Sequence, residues 1–219
     1  MQILAGIDRK KLRDAYEDEA IHPLGHKWIE LETGLIGQDH HIRWSLIEYL
    51  LGIHLVPNDL ILDLGCWNAG QTVNYAKLAS VIGLDISSGK LKQAKSGAPH
   101  IQYIQADWDH IPLRNGSVDW CVWDEGPEHA IDPDLVLSQI ADVVRKGIIL
   151  GMPLAPDLAP ELTYKYLRGE IQQWSGGHLH EFDEGKLRQM MEKHFKVEAI
   201  HIVKHRFPGY QWLVGVGVK

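Results

Sequence analysis

The sequence predicts an α/β protein with a doubly wound, mostly parallel sheet of seven strands that ends in an antiparallel C-terminal hairpin. Short apolar runs alternate with helical patterns between residues 60 and 152, which is typical of a parallel sheet covered by helices on both faces. A glycine-containing turn, residues 65–70, follows the first of these runs. Two further β runs near the C-terminus have no helix between them, and the intervening HRFPGYQ favours a hairpin.

The first half of the chain is expected to supply two helices before the sheet begins. Residues 8–20 are predicted to form a charged, solvent-exposed helix. Residues 39–52 place their apolar side chains on one helical stripe, which Gly52 can end. The predicted elements that follow are strand 60–64, helix 71–78, strand 81–84 ending at Asp85, helix 88–94, and strands 101–104 and 118–123.

The second half begins with a capped helix. Asp132 is predicted as the N-cap with Pro133 at the first helical position, and the helix is expected to end at residues 145–147, where two cations precede a glycine. The side chains that this helix is expected to bury are Leu135, Ile140, Val143 and Val144. The remaining predicted elements are strand 148–152, a helix at about 184–194 and strands 197–203 and 212–218. The segment of residues 153–182 is too long for an ordinary connection, and it is predicted to form a lid or substrate loop.

The composition favours one domain in a reducing compartment. With 219 residues and 45% hydrophobic content, the chain can bury one core, so a single domain over residues 1–219 is expected, with residues 1–52 as an N-terminal helical cap. The net charge of −7 disfavours nucleic-acid binding. Cys66 and Cys121 are expected to be small buried residues outside any disulfide. The N-terminal residues lack the apolar core of a signal peptide, and no stretch approaches the roughly 18 apolar residues of a membrane span. A cytoplasmic protein is therefore expected.

Three aspartates lie at, or just past, the ends of the first three predicted strands at intervals of 22 residues: Asp63, Asp85 and Asp107. The carboxyl ends of parallel strands lie at one edge of a sheet, so the three carboxylates are expected to share that edge. A carboxylate after the second strand can accept hydrogen bonds from both hydroxyls of a ribose, and one after the third strand can accept from an adenine amino group. The alternative is that each aspartate only caps the following helix.

The turn after the first strand departs from the two common phosphate-binding patterns. The sequence ILDLGCWNAG contains neither G-x-G-x-x-G nor a glycine followed by Lys-Ser/Thr. Gly65 is therefore expected to allow close approach of a ligand, with the chain turning into a helix near Gly70. A ligand without a pyrophosphate fits this turn, because the middle glycine is then less necessary.

Taken together, these motifs resemble the class I S-adenosylmethionine-dependent methyltransferases, a family with a Rossmann-like fold. The resemblance spans roughly residues 38–219. It rests on the order and spacing of ILDLGCWNAGQT, VIGLDIS, IQYIQADWDHIPLRNGSVDWCVWDEGPEHAIDP, VVRKGIILGMP and HEFDEGKLRQMMEKHFKV. The family usually has glycine where this chain has Trp67, although Gly65, Ala69 and Gly70 approach a Gly-x-x-x-Gly-Gly form that some members use.

The resemblance implies S-adenosyl-L-methionine as the cofactor, with its adenosine held by the second and third strands. Asp85 would bind the ribose hydroxyls, and Ile86 would lie against the adenine. Asp107 would meet the adenine amino group while Trp108 flanks the ring.

The methionine end of the cofactor is assigned in the same way, by resemblance. Asp63 and Gly65 would line it, and Trp123 and Asp124 would border the transferred methyl group. For Trp67 two interpretations stay open: it covers the cofactor or substrate mouth, or it has a packing role.

Three histidines are candidates for catalysis. His129 lies after the fourth strand and is the first candidate for a general base, since the unperturbed pKa of about 6.5 is near working pH; a polar loop position or helix cap is the alternative. His178 and His180 form a His-x-His pair that suits a paired acid and base, substrate contact or a metal, or packing. The sequence identifies no third ligand, so no metal is assigned. His40, His41 and Arg43 could close over the cofactor carboxylate or lie on the surface.

The predicted function is methyl transfer from S-adenosyl-L-methionine to a small organic metabolite, with hydroxyl oxygen favoured over nitrogen and S-adenosyl-L-homocysteine as product. The segment DEGP lacks the Asn/Asp-Pro-Pro-aromatic signature of base N-methylation, so nucleic-acid acceptors and membrane partners are not expected. One alternative is an RNA or protein methyltransferase that works with a partner. Another is a catalytically silent cofactor-binding module, suggested by Trp67.

Overall fold

A computed structural model describes residues 35–154, 177–204 and 211–219, together with residues 10, 11, 14, 15, 165 and 167–170. The helix expected over residues 8–20 lies outside the described residues except at four helical positions. Much of the expected lid at residues 153–182 also lies outside them.

The described elements alternate between helix and strand along most of the chain. The helices are α1 (Leu35–His54), α2 (Thr72–Tyr75), α3 (Ser88–Gly97), α4 (Pro133–Val143) and α5 (Glu184–Met191). The strands are β1 (Leu60–Leu64), β2 (Ser80–Asp85), β3 (Gln102–Gln105), β4 (Val118–Asp124), β5 (Val144–Pro153), β6 (Lys196–Lys204) and β7 (Gln211–Val218). Two short 3-10 turns, Trp108–His110 and Pro127–His129, follow β3 and β4.

The seven strands form one sheet in the order β3-β2-β1-β4-β5-β7-β6. Strands β1 to β5 pair in parallel, and β7 runs antiparallel to both β5 and β6. This confirms the predicted fold class and the C-terminal hairpin. The strand order reverses between β1 and β4, so the loops after these two strands flank the crevice where open α/β sheets bind ligands.

Apolar residues cover both faces of the sheet. On one face, α4 and α5 bury Val136, Ile140 and Met191 against the strands. On the other face, α1 buries Ile47 and Leu51. Neighbouring residues of β1 join opposite clusters, because successive side chains of a strand point to opposite faces. Cys66 and Cys121 are buried free thiols.

The sequence predicted that helix α1 ends at Gly52, but the helix continues past this residue. It continues to His54, whose ring lies 4.9 Å from the Trp120 ring between centroids. Gly52 has open space around it, and the helical backbone runs through it. Helix α2 is shorter than predicted, ending at Tyr75.

The C-terminal end of α4 was also predicted wrongly. Asp132 caps the helix as expected, accepting from the Leu135 backbone N–H at 3.1 Å, but the Leu135 side chain is 43% exposed and not buried. The helix ends at Val143, and β5 begins at Val144. Val144 pairs with Val118 of β4. The residues that the charge pattern assigned to the end of a helix therefore belong to β5.

The two cations of this segment bind carboxylates at the amino ends of neighbouring strands. Arg145 forms two hydrogen bonds with Asp119, Nε to Oδ1 at 2.9 Å and Nη2 to Oδ2 at 2.6 Å. Lys146 pairs with Asp59. These contacts explain why the cations belong to β5 and not to a helix end. Among the described residues, no helix is long and apolar enough to cross a membrane.

Candidate functional site

The turn after β1 has a glycine-like backbone at positions that are not glycine. Gly65 has a φ of 79°, Trp67 of 50° and Ala69 of 68°. Non-glycine residues rarely adopt this left-handed region, and each costs about 1–2 kcal/mol there. The amides of Gly65 and Cys66 donate to the Leu84 carbonyl at 2.7 and 3.0 Å, which ties the turn to β2. The replacement of a family glycine by Trp67 therefore leaves the turn in its glycine-type form.

The Trp67 side chain has a packing contact. The ammonium of Lys90, which is buried, lies 4.3 Å from the centroid of the Trp67 ring. This cation–π contact joins the turn to the first helical turn of α3. It supports the packing interpretation of Trp67.

Asp85 ends β2 and is held by two backbone amides. Its Oδ2 accepts from the Trp67 N–H and its Oδ1 from the Ser87 N–H, both at 2.8 Å. Ser87 caps α3 by accepting from the Lys90 N–H at 3.2 Å, so the capping role predicted as an alternative for Asp85 belongs to Ser87. The two amides fix the Asp85 carboxylate at the end of β2. The next residue, Ile86, is half-buried.

The end of β3 carries Asp107 and Trp108 as predicted. The Asp107 carboxylate accepts from the Asp109 N–H at 3.0 Å and caps the following 3-10 turn, as the alternative interpretation expected. The Trp108 ring lies over the turn after β1, since a Cβ placed on Gly65 would be 3.4 Å from its Cζ3. An aromatic plane and a glycine backbone therefore face each other at this edge.

Asp63, near the end of β1, is buried and accepts a side-chain hydrogen bond. Its Oδ2 accepts from the Thr72 hydroxyl at 2.6 Å. Burial raises the pKa of Asp63 to about 7, although the Thr72 hydrogen bond opposes the shift; the charges of Asp124 and Asp85 raise the pKa further. Three carboxylates thus influence one another at the same edge, which suits a positively charged ligand.

Arg43 brings a buried cation to the end of β4. The residue is 1% exposed, and its guanidinium binds Asp124 (Nη2 to Oδ2, 3.1 Å) and Glu125 (Nη1 to Oε1, 2.6 Å). Glu125 has a φ of 51°, and its N–H donates to the Gly151 carbonyl at 2.8 Å. A Cβ on Gly151 would collide with Asp124 Oδ1, so β5 needs glycine beside this ion pair.

Trp123 does not line the crevice. Its side chain is 0% exposed and belongs to the core, where its ring lies 5.9 Å from the Trp108 ring between centroids. The prediction that its side chain borders the transferred methyl group is therefore wrong. Packing decides this orientation, because Gly126 leaves the space that the Trp123 indole fills.

The turn after β4 and residues 177–180 are joined through one carbonyl. The Glu128 carbonyl accepts from the Leu179 N–H at 2.6 Å and the His180 N–H at 3.1 Å. This pairing brings the His129 and His178 rings to 4.6 Å between centroids. The His180 ring instead has its Nε2 2.9 Å from the Ala130 carbonyl, so the two rings of the His-x-His pair have different partners.

The structure changes the chemistry expected of His129. Burial, with the neighbouring His178, lowers the pKa of His129 to about 3. Burial lowers the pKa of His178 to about 4. Both rings are therefore neutral at neutral pH. The premise that His129 titrates near working pH was wrong, because the sequence did not show how deeply its ring is enclosed.

The sequence left Arg43 either over the cofactor carboxylate or on the surface, and the structure buries it in an ion pair with Asp124 and Glu125. Arg43 lies on the same stripe of α1 as the buried Ile47 and Leu51, so a single cation in an apolar stripe was the available signal. The spacing of Glu125 and Glu128 gave no comparable signal, because their burial depends on a turn that the sequence did not define.

The strand order and the acidic edge define a class of protein, the class I methyltransferase fold. Residues 62–151 match the family described as "Methyltransferase domain". A solved structure of magnesium protoporphyrin IX methyltransferase from Synechocystis PCC 6803, with bound SAM, superposes with a TM-score of 0.69 and 17% identity, covering 97% of this chain and 99% of that one. The chain thus has the fold of the class I S-adenosylmethionine-dependent methyltransferases, and its residues 62–151 resemble a methyltransferase domain.

Two curated relatives are similar over shorter stretches. A ubiquinone/menaquinone biosynthesis C-methyltransferase from Campylobacter jejuni is 26% identical over 122 residues, 52% of each chain. A malonyl-[acyl-carrier protein] O-methyltransferase from Yersinia pestis is 33% identical over 105 residues, 47% of this chain and 39% of the relative. The chain thus spans about half the length of these curated relatives or less.

Proposed function

We propose that this protein transfers a methyl group from S-adenosyl-L-methionine to a small organic molecule. The observation that carries the proposal is the edge formed by Asp63, Asp85 and Asp107 beside a turn with three left-handed residues. Two backbone amides hold the Asp85 carboxylate in place. This arrangement suits a ribose at the end of β2.

The residues present fit this cofactor along its length. In this proposal Asp107 and Trp108 receive the adenine, with Ile86 beside it, and Gly65 allows the ligand to lie close to the backbone. Asp63 and Asp124 lie at the carboxyl ends of the two strands that flank the crevice. When bound, S-adenosyl-L-methionine supplies an electrophilic methyl group on a cationic sulfonium.

The chain's own contribution is charge, orientation and exclusion of water. A cation near Asp63 favours the ionised carboxylate, so cofactor binding is expected to lower the pKa of that residue. The Arg43 ion pair fixes Asp124, and a fixed carboxylate needs no reorganisation when a ligand binds. Alignment of the acceptor supplies much of the remaining acceleration.

The acceptor is proposed to be a small molecule with a hydroxyl group. The net charge of −7 and the acidic edge oppose a nucleic-acid acceptor. We propose that Glu128, His129 and His178 face the acceptor, since the two neutral imidazoles can accept a hydrogen bond from a hydroxyl. The two relatives described above are a C-methyltransferase and an O-methyltransferase. The atom that this protein methylates therefore needs a direct test.

The alternative of a silent binding module was suggested by Trp67. The glycine-type φ angles at Trp67 and Ala69 remove the main reason for that alternative, because the turn keeps its form. An active enzyme is therefore the function that the site supports best.

The proposal is tested by measuring S-adenosylhomocysteine formation with panels of small hydroxyl, carboxyl and amine acceptors. Transfer RNA and an unfolded protein serve as macromolecular acceptors, and the Asp85→Asn variant as the inactive control. Product formed with a small hydroxyl compound, and abolished in the variant, is the expected result. Turnover confined to RNA or protein would overturn the proposed acceptor class, and binding without turnover on any acceptor would favour the silent module.

A further inference from the structure

A group of three possible metal ligands is formed by the turn after β4 and residues 177–180. We name Glu128, His129 and His178 the Glu-His-His cluster. One ligand atom from each residue lies within 4.8 Å of the other two. His129 Nε2 is 3.8 Å from Glu128 Oε1, and the two imidazole rings are nearly perpendicular, with an interplanar angle of 73°.

The backbone holds the two halves of this cluster together. Glu128 and His129 belong to the 3-10 turn Pro127–His129, and His178 comes from residues 177–180. The hydrogen bonds from Leu179 and His180 to the Glu128 carbonyl join the two segments. The three side chains are therefore brought together by main-chain contacts that do not depend on the side chains themselves.

The Glu128 carboxyl group is deeply buried, and burial raises its pKa despite the nearby charge of Arg43. The residue is 1% exposed, and neither oxygen has a hydrogen-bond partner among the described residues. The Arg43 guanidinium already binds Asp124 and Glu125. Buried polar side chains nearly always have a partner, and an exception requires an explanation such as an ion.

His178 shows the same feature. Its Nδ1 is buried and has no hydrogen-bond partner in the described part of the chain. An imidazole nitrogen that is neutral and unprotonated is the form that binds metal ions. Two independent groups of the cluster thus have enclosed, unused ligand atoms.

We propose that the Glu-His-His cluster binds one divalent transition-metal ion. Two imidazoles and one carboxylate are a ligand set of zinc and of other first-row ions that keep open positions. Ligand atoms about 2.0–2.2 Å from a tetrahedral ion lie about 3.4 Å apart, so small side-chain rotations close the present distances. Mg²⁺ prefers oxygen ligands and is not expected to compete.

An ion at this place would leave a coordination position for an acceptor oxygen. A hydroxyl group bound to such an ion would release its proton to water more easily than a free one. This use of the ion rests on the proposed function, whereas binding of the ion does not.

The test is a titration of tag-free, chelator-treated protein with Co²⁺, followed by visible absorption and by competition with Zn²⁺. The expected result is one Co²⁺ per chain with ligand-field bands, displaced by one equivalent of Zn²⁺ and unaffected by millimolar Mg²⁺. Absence of stoichiometric Co²⁺ and Zn²⁺ binding would overturn the proposal.

Matched variants locate the ion. Glu128→Gln and His178→Gln are each expected to weaken Co²⁺ binding more than about tenfold. The control is His180→Gln, two residues along the same segment, whose ring contacts the Ala130 carbonyl instead; it should keep the wild-type affinity. Equal loss in all three variants, or none in Glu128→Gln and His178→Gln, would contradict the assigned ligands.

A separate measurement distinguishes this proposal from the proposed function. Affinity for S-adenosylhomocysteine is measured in the wild-type protein, with and without Co²⁺. If the cofactor fails to bind while Co²⁺ binds stoichiometrically, the methyltransferase proposal fails and the metal site stands. The opposite outcome rejects the metal site and leaves the methyltransferase proposal in place.

Discussion

Gly65 has a φ of 79°, and its missing side chain faces the Trp108 ring. Gly65→Ala is expected to lower the free energy of unfolding by about 1–2 kcal/mol, since alanine is strained in this region, and to weaken cofactor binding. The measurement is urea unfolding followed by circular dichroism.

The control for Gly65 is Gly52, which lies inside α1 with open space around it. Gly52→Ala should raise the free energy of unfolding by about 0.5–1 kcal/mol because alanine is the better helix former. Destabilisation by Gly52→Ala would contradict a helical backbone at Gly52, and no effect of Gly65→Ala would contradict the left-handed backbone at Gly65.

Asp63 makes stability depend on pH. Its pKa is raised by burial to about 7 in the folded protein, against an ordinary value of 3.8. The folded state therefore holds a proton that the unfolded state has released. The resulting stabilisation is complete below about pH 4 and is lost as pH rises through about 7, by up to about 4 kcal/mol.

Asp63→Asn removes this titration while keeping an oxygen for the Thr72 hydroxyl. The variant is expected to gain stability over the wild type progressively between about pH 4 and 7. Unfolding free energies measured across that range check this, with the exposed Asp142→Asn as control. A difference from the wild type that does not change with pH would contradict the burial argument.

The positions of individual functional side chains could be predicted only where the end of a strand determines them. Asp63, Asp85 and Asp107 were assigned to one edge because the strands themselves could be recognised. The Trp123 side chain lies in the core because its orientation depends on the turn at Gly126. The depressed pKa of His129 depends on enclosure by residues distant in sequence, which no local pattern contains.

At the scale of elements, the α4 cap is the contact most open to a direct test. Asp132 accepts from the Leu135 N–H, so Asp132→Ala is expected to cost about 1 kcal/mol of stability. Asp142→Ala, near the other end of the same helix and exposed, should have almost no effect. Thermal unfolding of both variants checks this, and equal changes in the two would argue against a specific cap.

The elements also show where sequence patterns are reliable. β1 was predicted at residues 60–64 and is found there, because an enclosed apolar run between polar residues leaves little ambiguity. The end of α4 was predicted two to four residues too late. Arg145 and Lys146 looked like a cationic helix end, whereas their partners Asp119 and Asp59 lie on segments that only the folded sheet brings near.

At the scale of the whole molecule, the sheet order places the charged groups. The reversal between β1 and β4 puts Asp63 beside the turn that carries Arg43's partners, Asp124 and Glu125. The alternation of strands and helices predicted a doubly wound parallel sheet, but not which strands flank the reversal. The pairing of Arg43 with Asp124 and Glu125 and the assembly of the Glu-His-His cluster could not be predicted, because they join segments separated by tens of residues without a shared periodicity.

The central claim is that the edge formed by Asp63, Asp85 and Asp107 binds the cofactor. Its most direct test is calorimetric titration with S-adenosylhomocysteine, comparing wild type, Asp85→Asn and the control Asp142→Asn. Loss of a charged hydrogen bond costs about 1.5–3 kcal/mol, so Asp85→Asn should bind roughly 10- to 100-fold more weakly. The wild type and the control should bind one equivalent with equal affinity. Absence of binding by the wild type, or unchanged affinity in a folded Asp85→Asn variant, would contradict the claim.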